Sequence, residues 1–155
     1  MRILLAVDGS PGSDAAVAEV CRRPWPAASE VRIVTVLSPL ESLPLRNSSH
    51  IPLSYDEIFE QQGWDAAKRL KDAAETLQQR APDLHVTPVL LEGRPKNAIL
   101  DEAERWCADL IVVGSQGSGA LKRFFLGSVS LAVALHAPCS VEIIRRSPDQ
   151  PDPAV

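Results

Sequence analysis

Short runs of aliphatic and β-branched residues alternate along this chain with segments of helical period, and few folds accommodate that alternation. Residues 2–7 (RILLAV), 31–37 (VRIVTVL), 109–113 (DLIVV) and 139–144 (CSVEII) read as strands, and 85–91 (HVTPVLL) as a weaker fifth. Ile3 to Val7 and Leu110 to Val113 lack polar alternation, the pattern of parallel strands covered on both faces. Ser10-Pro11 offers an N-cap and a first-turn proline for a helix reaching about Cys21. Ser54-x-x-Glu57 is a capping box, after which Tyr55, Ile58, Phe59, Ala66, Leu70, Ala73, Ala74 and Leu77 keep roughly helical spacing. Pro95 opens a third helix with Ala98, Ile99, Glu102, Ala103 and Trp106 on one stripe, and Gly127-Ser128 opens a fourth that ends near His136. The order βαβαβαβαβ predicts an α/β fold: a single doubly wound domain with a parallel sheet, right-handed crossovers and helices on both faces.

With 155 residues the chain can bury a core without disulfide or metal staples. A net charge of −4 argues against a nucleic-acid-binding surface, and no apolar run is long enough for a membrane span. Residues 1–8 have neither the length nor the cleavage site of a signal peptide. Cys21, Cys107 and Cys139 are far apart and form no Cys-x-x-Cys, as expected of reduced, mostly buried thiols in a cytoplasmic protein. Thirteen prolines exceed the roughly 5% average and raise the question of disorder. They fall mainly at helix starts (Pro11, Pro95), before strands (Pro82, Pro138), in the irregular segment 38–54 and in the tail. Residues 1–146 therefore read as the domain and 147–155 as a flexible tail, with segment 38–54 either a lid or simply mobile.

In an open parallel sheet, ligands bind at the carboxyl ends of the strands, where the strand order reverses. Two strand ends carry unusual sequence: Val7-Asp8-Gly9-Ser10-Pro11-Gly12, and Val113-Gly114-Ser115-Gln116-Gly117 leading on to Gly127-Ser128-Val129. Glycines after a strand let backbone approach a ligand, and the helix start at Gly127-Ser128 presents N–H donors to an anion. From Leu110 to Val141 there is no Asp or Glu, while Lys122 and Arg123 lie within that stretch. Such glycines also serve turns and helix–strand packing, and both roles are open at this point. Asp8 has two roles open as well: accepting ribose hydroxyls or holding a phosphate-bridging cation, and capping the turn that follows it.

Other chemistries fail on inspection. No G-x-x-x-x-G-K-[ST] is present, the dinucleotide fingerprint lacks its third glycine, and Asp8 stands where a nucleophile elbow needs glycine. His50, His85 and His136 have no metal-ligand spacing.

At these residues the chain resembles the universal stress protein family over about residues 2–145. The resemblance rests on Val7-Asp8-Gly9-Ser10, Gly93-x-Pro95, Ala108 to Gly114, and His136-Ala137-Pro138-Cys139-Ser140-Val141. Its most specific element is Gly114-x2-Gly117-x9-Gly127-Ser128, which is similar to the G-x2-G-x9-G-[ST] signature of the ATP-binding branch. The resemblance implies a five-stranded parallel sheet of order 3-2-1-4-5, with Pro88 tolerated on an edge strand. It further implies ATP across the ends of strands one and four. Val36 and Val113 would flank the adenine; Asp8, Gly114 and Gly117 would line the ribose and first phosphates; Gly127, Ser128 and Val129 would hold the outer phosphates. Mg²⁺ or Mn²⁺ would be held through the phosphates. The implied role is a stress-response binding and signalling module, at most a slow ATPase, forming a homodimer through its last strand. The alternative is a member that binds no ATP and works as a protein-interaction dimer. Two positions depart from the family pattern: Gln116, where many members carry histidine, and Glu142, a charge on the strand expected to pair.

Overall fold

The structure, a computed structural model, describes residues 1–38, 55–117 and 126–145, with 55–59 as backbone only. Five strands are described: β1 (Arg2–Ala6), β2 (Glu30–Leu37), β3 (His85–Glu92), β4 (Leu110–Gly114) and β5 (Ser140–Ile144). Four helices connect them: α1 (Pro11–Arg22), α2 (Tyr55–Arg80), α3 (Pro95–Arg105) and α4 (Ser128–His136). All strand pairs are parallel in the order β3-β2-β1-β4-β5, the expected order. Pro88 stands on β3, an edge strand, where its missing N–H is tolerated. The capping box at Ser54, the rest of segment 38–54 beyond Ser38, the residues Lys122 and Arg123, and the tail 147–155 lie outside the described residues.

Unbroken apolar strands give this sheet two cores. Ile3, Leu5 and Val7 of the first strand run join Val31, Ile33, Leu110 and Val112 beneath α1 and α2. Leu4, Val34, Ile111 and Val113 point to the other face, beneath α3 and α4. Ile3, Leu4 and Leu5 are fully buried, and each such side chain contributes about 1.5–3 kcal/mol.

Glu102 explains itself only in three dimensions. It lies on the apolar stripe of α3 and is buried, because Arg32 of β2 meets it there: Nη1 donates to Oε1 at 2.5 Å. Arg105 donates to the other oxygen, and the Arg32 guanidinium lies 4.3 Å from the Trp106 ring centre. A carboxylate on a core-facing stripe is thus a paired charge, with a cation–π contact fixing its partner.

Helix α3 ends in a Schellman turn. Ala108 N–H donates to the Ala103 carbonyl and Cys107 N–H to that of Glu104, with Cys107 left-handed at φ 51°. That conformation pushes Cys107 outward, so the expectation of mostly buried thiols fails for this cysteine, which is exposed. Cys21 and Cys139 are half-buried, and burial raises both thiol pKa values. All three are unpaired.

Glu142 on β5 neither faces solvent alone nor stands as a bare charge on the sheet edge. Arg23, just past α1, donates to both its oxygens, Nη1 at 2.6 Å, and also pairs with Glu19. These bonds neutralise the departure at position 142.

Candidate functional site

The site is assembled where α1 and α4 begin, at the carboxyl ends of β1 and β4. Ser10 caps α1: its hydroxyl accepts from Ser13 N–H at 3.2 Å and donates to the Gln116 carbonyl at 3.2 Å. That bond staples the loop after β4 to the start of α1. The approach is possible because both neighbours are glycines. A Cβ on Gly12 would stand 2.4 Å from the Gln116 oxygen, and one on Gly114 2.5 Å from the Gly12 carbonyl carbon. Gly114 is therefore glycine for backbone packing, since its missing side chain faces α1.

Of the two roles weighed for Asp8, the structure shows the cap, and it places the residue on the cleft wall. Its Oδ1 accepts from Ser10 N–H at 3.0 Å, capping the turn, while Oδ2 lies 2.7 Å from where a Gly117 Cβ would be. Gly117 thus leaves room for the carboxylate at the strand end. The start of α4 is tied to the end of β4, because Gly127 N–H donates to the Ser115 carbonyl at 2.8 Å. Ser130 fixes the helix above it by donating to the Gly114 carbonyl at 2.6 Å. Helix α4 then starts after Gly127, an N-cap residue with no side chain to bond the helix start, so among the described residues no side-chain cap takes the first-turn N–H groups.

Between these elements lies a cleft of about 550 Å³, within the roughly 300–1,000 Å³ of small-molecule sites. The structure brings all eight sequence-derived residues to its wall. Val36 and Val113 line it from β2 and β4, on either side of β1. Asp8, Gly114 and Gly117 line the strand ends, and Gly127, Ser128 and Val129 the start of α4. The sequence reading missed a third wall, formed by Gln62, Asp65 and Arg69 of α2. Spacings of three and four residues were the available signal, since they put these polar residues along one flank of the helix. His85 and His136 lie elsewhere, at the start of edge strand β3 and the end of α4. Among the described residues no cluster of three or more His, Cys, Asp or Glu exists to hold a metal, and no helix is long and apolar enough to cross a membrane.

A doubly wound parallel sheet with a glycine-lined cleft at its carboxyl edge defines an α/β domain with the ligand-site geometry of open parallel sheets. Comparison with known proteins makes that class specific: residues 1–145 match the model of the Universal stress protein family, and the chain belongs to it. A universal stress protein of Thermus aquaticus is 35% identical over 147 residues, covering 92% of this chain and 97% of the relative. Among solved structures, a universal stress protein family protein from Arabidopsis thaliana with AMP bound superposes with a TM-score of 0.68 at 18% identity, covering 96% or more of both chains (99% and 97%). A universal stress protein in complex with cAMP gives a TM-score of 0.64 at 24% identity, covering 95% of this chain and 98% of that one.

Proposed function

We propose that the cleft binds an adenine nucleotide, with ATP as the physiological ligand, and that the protein is a stress-response binding and signalling module of the cytoplasm. One observation carries the reading: the N-terminus of α4, which no described side chain caps, lies at a cleft lined by glycine backbone and by Asp8. N–H groups at a helix start, aligned with the helix dipole, favour phosphate. The residues fit such a ligand. Gly127, Ser128 and Val129 would hold outer phosphates, Asp8 Oδ2 would accept from ribose hydroxyls, and Val36 and Val113 would supply apolar walls for a base. AMP and cAMP in the two superposed family structures support the choice of base. Mg²⁺ or Mn²⁺ would be held through the phosphates, offsetting their charge. The module is at most a slow ATPase.

Thermal unfolding tests the reading. Ligand at about 100 times its Kd adds about 2.7 kcal/mol. For a chain of this size that raises Tm by roughly 5–10 °C. No shift with millimolar ATP and Mg²⁺ overturns it.

The same reading pairs two copies along β5. Leu131 and Leu135 of α4 are exposed (46% and 69%), leaving apolar surface on the helix that precedes that edge. Sedimentation equilibrium should return twice the chain mass, and a monomer at micromolar concentration contradicts the pairing.

A further inference from the structure

Arg69 is the one cationic side chain among the described residues that line the cleft, where the acids are Asp8 and Asp65. Among the described lining side chains, Arg69 is thus the one that can offset phosphate charge. Its position is defined from below. The Arg69 stem crosses Gly9, with Cδ and Nε each 2.9 Å from where a Gly9 Cβ would be, and Gly9 itself is left-handed at φ 75°. Glycine is needed there twice, for the turn and for the arginine above it. Asp65 stands one helical turn before Arg69, a spacing that often makes an ion pair, yet none forms between them. Asp65 accepts instead from Gln61 Nε2 at 3.2 Å. No ion pair among the described residues includes Arg69.

We infer that Arg69 is a specificity-determining residue that grades nucleotides by phosphate charge, favouring ATP over AMP. The inference rests on the nucleotide reading above and deepens it. The polyphosphate would run between two donors on opposite walls, the start of α4 and the Arg69 fork. A guanidinium gives paired, charge-assisted bonds to phosphate oxygens that a monophosphate seated at the strand ends does not reach. Arg69 binds and orients in this account, and no bond is made or broken.

Calorimetric titration of wild type, Arg69→Met and Arg69→Lys with ATP and AMP, each with Mg²⁺, tests it. Methionine keeps an unbranched stem over Gly9 and removes the charge, so the unliganded Tm should be unchanged. The expected result is a loss of roughly tenfold or more in ATP affinity for Arg69→Met, with AMP affinity kept within about twofold. Arg69→Lys should fall between, keeping the charge without the fork. Equal ATP binding by wild type and Arg69→Met overturns the inference and leaves the nucleotide reading standing. An equal loss for ATP and AMP overturns it too, since the effect would not follow phosphate number. A wild-type protein that binds neither nucleotide overturns both.

Discussion

Gly127→Asp should abolish the nucleotide-dependent rise in Tm while leaving the unliganded protein as stable as wild type or slightly more so. Gly127 is the N-cap of α4, in extended conformation (φ −60°, ψ 151°), with no side-chain bond to the helix start. Aspartate is among the strongest N-cap residues and gains a few tenths of a kcal/mol over glycine there. Among the described residues there is space for it: a Cβ at 127 meets none of their atoms nearer than 3.5 Å. The carboxylate would take the first-turn N–H groups for itself and repel phosphate from the same place. Fold and binding therefore separate in one variant. A Gly127→Asp protein that still gains several degrees with Mg-ATP would show that α4 does not receive the phosphates. Gly117→Val reaches the same end differently, since its Cβ would stand 2.7 Å from Asp8 Oδ2 and must displace the carboxylate.

The second large effect is on stability. Gly12→Ala and Gly114→Ala should each lose about 3 kcal/mol, because the added carbon meets backbone rather than a movable side chain. At 2.4 Å from the Gln116 oxygen, or 2.5 Å from the Gly12 carbonyl carbon, the strand-end loop and α1 must separate. The Ser10 to Gln116 staple would go with them. In melting temperature the loss is roughly 6–12 °C. Gly63→Ala is the matched control, since position 63 lies within α2 and a Cβ there meets nothing within 4 Å. Relief of glycine's backbone entropy should make that variant more stable by about 0.5–1 kcal/mol. Three Gly→Ala changes with the same sign would contradict the close approach of α1 to the loop.

The sheet and its helices were legible because their signals are local. Ile3 to Val7 and Leu110 to Val113 announce strands buried on both faces, and Pro11, Pro95 and Gly127 mark helix starts. The prolines, first a hint of disorder, proved to be punctuation among the described residues except for Pro88, which lies within edge strand β3. What stayed hidden depends on tertiary approach. Glu102 sits on an apolar stripe for a reason visible only once β2 brings Arg32 beneath α3. Gly114 and Gly12 meet through the placement of α1 against β4, so the sequence shows a glycine suited to a ligand and the fold reveals one suited to a helix. The wall formed by Gln62, Asp65 and Arg69 escaped notice because the apolar stripe of α2 identifies the side facing the sheet. Which polar flank overlooks the cleft depends on how the helix lies across β2 and β3 and against α1.

The central claim is that an adenine nucleotide occupies the cleft with its phosphates at α4. Isothermal titration of the purified chain with Mg-ATP, beside the Gly127→Asp variant, tests it most directly. The account predicts saturable binding of one nucleotide per chain in wild type and none in the variant. Absence of binding to wild type at millimolar ATP, or equal binding to both proteins, would contradict it.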